Sequence, residues 1–149
     1  MRIEILWLDD DNLPALQVAL QDFGCIIDRA YFLSEADRLI QDKTYDIVLL
    51  DILLAIEPED IEIGYTPQLT DYGRKAGLAF YRRHRQRIDR MKAEVLVYSL
   101  VGGEDDIKQQ FTNEGLTNEN VLYKVSESGP SELLKHIERV LKNKSIVKG

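Results

Sequence analysis

The chain has 149 residues and a mass of 17.2 kDa, the usual size of one domain that can bury a full core. A hydrophobic share of 44% and a charged share of 30% exclude disorder as the overall state, and a formal net charge of −7 argues against non-specific nucleic-acid binding. One cysteine, Cys25, excludes an intramolecular disulfide and fits a reducing compartment. The N-terminus carries acids and no apolar run nears the ~18 residues of a membrane helix, so the expectation is a cytoplasmic, single-domain protein.

Ile3–Leu8 opens the chain as a short, continuous apolar run, which reads as a strand buried on both faces. Leu13, Leu16, Leu20 and Phe23 then recur at helical spacing, with Pro14 in the first turn and Gly24 as the stop. A weaker strand runs from Cys25 to Phe32. Ser34 reads as the N-cap of a second helix, with acids in its first turn and Ala36, Leu39 and Ile40 as its apolar stripe. Ile47–Leu50 is the third strand. Residues Ala55 to Arg74 show no clear period and contain Pro58, Gly64, Pro67 and Gly73, so they read as a long inserted loop of the kind that more often carries function or moves.

Beyond the insertion, Ala76 to Arg90 forms a helix, Glu94–Tyr98 the fourth strand, Asp105 to Asn113 a further helix, and Val121–Tyr123 the fifth strand. The last helix, Pro130 to Lys142, sets Leu133, Leu134, Ile137, Val140 and Leu141 on one face. Strand and helix alternate five times, which implies a parallel α/β sheet with helices on both faces. One domain spans residues 1–143, with the inserted loop at about 55–74, and residues 144–149 form a flexible tail.

In open α/β sheets, function collects at the carboxyl ends of the strands. Those ends carry Asp9-Asp10-Asp11, Asp51, Ser99 and Lys124: acids, acid, hydroxyl and amine directed to one pocket. Clustered carboxylates repel one another unless a cation sits among them, and an oxygen-only donor set suits Mg²⁺. With that charge offset, such a pocket could hold a phosphoryl group on a carboxylate.

This set, in this order, resembles the receiver domain of two-component response regulators. The strings Ile5-Leu6-Trp7-Leu8-Asp9-Asp10-Asp11 and Tyr45-Asp46-Ile47-Val48-Leu49-Leu50-Asp51 are similar to the family's opening and to its phosphorylation strand. The resemblance covers nearly the whole chain apart from the insertion. It implies a flavodoxin-like, doubly wound five-stranded parallel sheet. It also implies that Asp51 is the phosphoacceptor, supplied by a sensor histidine kinase or phosphotransfer protein. Asp10 and Asp51 would bind Mg²⁺ directly, Asp9 through water, and the backbone carbonyl of Leu53 would complete the protein ligands. Lys124 would pair with Asp51 and then with the phosphoryl group, while Ser99 would swing toward that group and carry the change to the surface. The expected protein is a stand-alone switch rather than a turnover enzyme, acting on a downstream protein target without direct nucleic-acid or membrane contact, with homodimerisation open.

The departures from the family pattern are specific. Leu100 replaces a small residue after Ser99, Val121 replaces an aromatic three before Lys124, and Val125 replaces a proline after it, which removes the reason for a cis peptide there. Tyr123 is expected on the opposite face from Lys124. Leu53 and Val101 are expected to flank the approach to the site with apolar groups, which would slow water and lengthen the life of the phosphorylated state. These changes favour a second reading, a receiver-like interaction module that takes no phosphate. A small Mg²⁺-dependent phosphohydrolase is a third, but the second acid it needs two residues after Asp51 is Leu53.

Three further features lie apart from this set. His84 lies on the stripe Gly77, Phe80, Tyr81, His84, Ile88 and Met91, and so reads as a packed side chain; Cys25 reads as a small buried hydrophobe. Eight of the 19 Lys and Arg fall between Arg74 and Lys92, which is either a solvated helix face or a docking face for an acidic partner or for the chain's own acidic insertion.

Overall fold

The computed structural model describes residues 2–124 and 129–148, as backbone alone for 144–148. Five parallel strands, β1 (Ile3–Leu8), β2 (Cys25–Ala30), β3 (Ile47–Leu50), β4 (Glu94–Ser99) and β5 (Val121–Tyr123), form one sheet in the order β2-β1-β3-β4-β5. The order reverses at β1, so successive crossovers lay helices on opposite faces, and the carboxyl ends of β1 and β3 meet at the switch point. This is the doubly wound α/β sheet that the sequence implies.

The helices are α1 (Pro14–Asp22), α2 (Leu33–Asp42), α3 (Pro58–Glu62), α4 (Pro67–Thr70), α5 (Ala76–Met91), α6 (Asp105–Asn113) and α7 (Gly129–Lys148). Side chains alternate along each strand, so each face has its own core. Ile3, Ile5 and Trp7 of β1 pack with Leu20 of α1 and Leu133, Ile137 and Val140 of α7. Leu6 and Leu8 point the other way, toward Leu33 and Ile40 of α2, Phe80 and Ile88 of α5, and Phe111 of α6. Burial on both faces accounts for the unbroken apolar character of β1, β3 and β4.

Several local expectations need correction. The insertion is not patternless: it contains α3 and α4, each opened by a proline in its first turn. Ser34 is not an N-cap but lies inside the first turn of α2, whose N-cap is Phe32. The Ser34 amide donates instead to Oδ1 of Asp60 at 2.8 Å, and the other Asp60 oxygen accepts from the Glu57 amide at 2.9 Å. One fully buried carboxylate therefore caps α2 and closes the capping box of α3, fixing the insertion to the sheet's flank. β2 stops at Ala30 rather than Phe32, β4 runs on to Ser99, and α7 continues as helix through Lys148 rather than stopping at Lys142.

A second clasp is built around Asp37 of α2. Its Oδ1 accepts from the Tyr65 hydroxyl at 2.5 Å and lies 2.6 Å from Nε2 of His84, while Arg83 stands 3.5 Å from Oδ2. Burial alone would raise this carboxyl, but the bonds from His84 and Tyr65 and the Arg83 charge outweigh it and hold Asp37 below its ordinary value. His84 is buried, as its place on the stripe implies, and is joined to a carboxylate that the stripe does not reveal. The Arg83 guanidinium also stacks 3.7 Å over the Tyr65 ring.

The basic helix face is thus divided in use. Arg82 and Arg85 grip Glu114 beyond α6, at 2.8 and 3.4 Å, and Arg83 serves the insertion through Tyr65. Among the described residues, Arg74 of the basic run pairs with the insertion's Asp71 at 3.0 Å, and no ion pair joins α5 to its Glu57, Glu59, Asp60 or Glu62. None of the described helices is long and apolar enough to cross a membrane.

Candidate functional site

The strand ends are fixed by hydrogen bonds that continue the sheet past its strands. The Asp9 amide donates to Ala30 at 3.0 Å, the Asp51 amide to Leu8 at 2.8 Å, and the Lys124 amide to Ser99 at 2.9 Å. From this edge the side chains converge. Carboxylate oxygens of Asp9, Asp10 and Asp51 all lie within 4.8 Å of one another.

Lys124 neutralises part of that charge. Its Nζ lies 2.8 Å from Asp9, 2.9 Å from Asp11 and 3.4 Å from Asp51, with the Lys124 side chain only 7% exposed. Burial alone would lower its pKa, but the bonds to Asp9 and Asp11 outweigh that and raise it, so the ammonium is charged. Asp51 stands at the other extreme. Burial, reinforced by the Asp9 charge, pushes its carboxyl up to about 6, against the pull of Ser99, Lys124 and the Ile52 amide. That amide donates to Oδ1 of Asp51 at 2.8 Å and faces Oγ of Ser99 at 3.3 Å. Asp10 is exposed and accepts from the Ala55 amide at 3.2 Å.

Close backbone packing keeps Asp51 in place. A Cβ on Gly77, at the start of α5, would come 2.1 Å from the Asp51 carbonyl, so only glycine admits this approach. The Gly77 amide uses the space to donate to Ile52 at 3.1 Å.

The acids open onto a cavity of about 240 Å³ whose lining includes Asp10, Asp51, Leu53, Leu100, Tyr72 and Arg74. Of its apolar lining, Leu53 stands two residues after Asp51 and Leu100, 49% exposed, next to Ser99. Val101 does not flank the cavity but packs, half-buried, against the core under α5 and α6. Val121 is buried in that core and Tyr123 is exposed. The expectation at Val125 lies outside the described residues.

Arg29, Tyr72 and Arg74 escape a reading by strand ends alone, and Asp11, one of the acids read there, has a partner that the reading did not give it. Asp11 is a direct partner of Lys124. Arg29 of β2 donates to the backbone carbonyls of Asp9 and Asp11 at 2.8 and 2.6 Å, with its guanidinium 4.0 Å over the Trp7 ring and 4.7 Å over the Tyr31 ring. Trp7 and Arg29 are register partners on neighbouring strands, which is the one trace of that contact in the sequence. Tyr72 and Arg74 reach the cavity from the end of the insertion.

With this geometry, the chain resembles solved receiver domains over nearly its full length. The beryllium-fluoride-activated receiver domain of DrrB, a Thermotoga maritima protein, is 22% identical, with a TM-score of 0.63 over 95% of this chain and 99% of that one. A Francisella response-regulator receiver domain is 17% identical, with a TM-score of 0.68 over 95% of this chain and 98% of that one. The Vibrio cholerae chemotaxis response regulator CheY4 is 19% identical, with a TM-score of 0.66 over 94% and 99%. No family model matches the sequence, and no curated protein matches it. The chain has the receiver-domain fold.

Proposed function

We propose that this receiver fold works as a response-regulator switch that takes a phosphoryl group on Asp51. The observation that carries the reading is the meeting of Asp9, Asp10, Asp51, Ser99 and Lys124 at one sheet edge, with Lys124 bridging the acids. In the step, an Asp51 carboxylate oxygen forms a bond to phosphorus. The P–N bond of a phosphohistidine, on a sensor histidine kinase or phosphotransfer protein, breaks with its electron pair returning to the imidazole. Lys124 supplies a fixed ammonium to the transferred oxygens, and Ser99 a hydroxyl that turns from Asp51 to a phosphoryl oxygen.

The donor set fits Mg²⁺: three carboxylates close together, all hard oxygen ligands. Asp10 and Asp51 would hold it directly and the Leu53 carbonyl would add a ligand. Asp9, fully buried and bonded to Lys124, suits an indirect role through water. When bound, the ion draws charge from the phosphoryl oxygens and offsets the crowded acids. Movement of Ser99 would then change the surface around α6 and β5 and its contacts with a downstream protein, or with a second copy.

Leu100 at the cavity lip favours one other reading, a receiver-like interaction module that takes no phosphate. Beryllium fluoride with Mg²⁺ separates the two. Trp7 is buried under Arg29, which holds the Asp9 and Asp11 carbonyls, so its fluorescence reports on the site. The switch reading expects a saturable change that needs both reagents and is lost in Asp51→Asn. No change in the parent protein would favour the module.

A further inference from the structure

The acid cavity has a wall that the strand ends do not supply. It is built by Tyr72, Gly73 and Arg74, where the insertion returns to the sheet. Asp71, Tyr72 and Gly73 have successive φ values of 51°, 56° and 88°, a left-handed run that non-glycine residues rarely adopt. The run is tightly held. The Tyr72 amide donates to Pro67 at 2.7 Å, the Lys75 amide to Thr70 at 2.8 Å, and the Leu54 amide to Gly73 at 3.0 Å. A Cβ at Gly73 would come 2.2 Å from the Leu54 carbonyl. Such strain persists where the surroundings enforce it, and it concentrates at functional positions.

Its effect is to fix the Arg74 backbone at the rim with its side chain largely in solvent. Arg74 lines the cavity with Asp10 and Asp51, yet its side chain is 69% exposed. Its ion-pair partner is Asp71, at 3.0 Å and three residues away, a surface pair of the kind that solvent screens heavily. Lys124 is already engaged by three carboxylates. An incoming phosphoryl dianion therefore meets a guanidinium whose partners are the carboxylate and, at 3.4 Å, the backbone carbonyl of Asp71, with the planar fork that matches phosphate oxygens.

Resting on the phosphoacceptor reading above, we propose that Arg74 is a substrate-positioning residue, which leaves Asp71 to hold the donor's phosphoryl oxygens while Asp51 attacks. With acetyl phosphate as donor, the Asp51 oxygen forms the new O–P bond. The donor's own O–P bond breaks with its electron pair leaving on acetate, and Arg74 gains and loses no proton. Asp71 competes for the same guanidinium and so restrains the reaction.

The test is the second-order rate of phosphate gain with acetyl phosphate and Mg²⁺, followed by intact mass. Arg74→Ala is expected to be slower by roughly tenfold, the worth of one charge-assisted contact, and Arg74→Lys to recover part of the loss. Asp71→Asn tolerates the left-handed backbone and is expected to be faster than the parent. Arg87→Ala, which removes an equal charge from α5 away from the cavity, is expected to match the parent. Equal rates for Arg74→Ala and the parent overturn the role of Arg74 alone, as does an equal slowing by Arg87→Ala. A parent protein that takes no phosphate overturns the phosphoacceptor reading, and this role with it.

Discussion

Lys124 at the end of β5 holds Asp9 at the end of β1 at 2.8 Å, spanning three strand positions across the sheet's carboxyl edge. The contact is nearly dry, with the lysine side chain 7% exposed and the Asp9 side chain fully buried. A buried pair of this kind contributes little net stability while intact but costs much when one partner is lost.

Lys124→Ala is therefore expected to lower the stability of the metal-free protein by about 3–5 kcal/mol, because Asp9 and Asp51 remain buried without their cation. Added Mg²⁺ is expected to recover much of that loss. Urea unfolding with and without Mg²⁺ checks both statements. A variant as stable as the parent, or one indifferent to Mg²⁺, contradicts the charge balance described for the site.

Asp51 gives the opposite sign. Its carboxyl is pushed up to about 6 from an ordinary 3.8, by burial and by Asp9. A raised carboxyl binds more protons when folded, so its favourable contribution is complete below pH 3.8 and is lost as pH rises through about 6. Asp51→Asn removes that loss. Without Mg²⁺ the variant is expected to be more stable than the parent near neutral pH, by on the order of 2 kcal/mol, with the gain vanishing in acid. Unfolding across pH tests this; a pH-independent difference would count against it.

The insertion should come loose at Asp60. Asp60→Ala removes the acceptor for the Ser34 and Glu57 amides. The expected cost is about 1–2 kcal/mol, with faster amide exchange at the start of α2 and throughout α3. Exchange confined to α3 would show that α2 does not depend on this cap.

Tyr65→Phe tests the second clasp. It keeps the ring under Arg83 but removes the hydroxyl that donates to Asp37. The loss is expected to be about 1–3 kcal/mol, as for a bond to a charged group. Tyr65→Ala should cost more, since the buried ring and its stacking go as well. A Tyr65→Phe variant as stable as the parent would mean that the hydroxyl contributes nothing, and equal losses in the two variants that the ring and its stacking contribute nothing.

Much of the fold was legible because β1 and β3 are buried on both faces and match their apolar runs end to end, as the short β5 also does. The meeting of the candidate site residues was legible for a related reason: a parallel sheet collects its strand ends, and Asp9, Asp51, Ser99 and Lys124 each follow or end an apolar run. The insertion was not legible, because helices of five and four residues are too short to display a 3.6-residue period. The Asp60 cap was hidden by distance, since it serves an amide 26 residues earlier. Arg74 was visible only as one member of a basic run. Its place on the cavity depends on the left-handed turn at Asp71 and Tyr72, which no local pattern announces.

The most direct measurement is intact mass after incubation with acetyl phosphate and Mg²⁺, with Asp51→Asn in parallel. The parent is expected to gain one phosphoryl group, a gain absent without Mg²⁺ and absent in the variant. No gain in the parent, or an equal gain in Asp51→Asn, would contradict the assignment of Asp51 as phosphoacceptor.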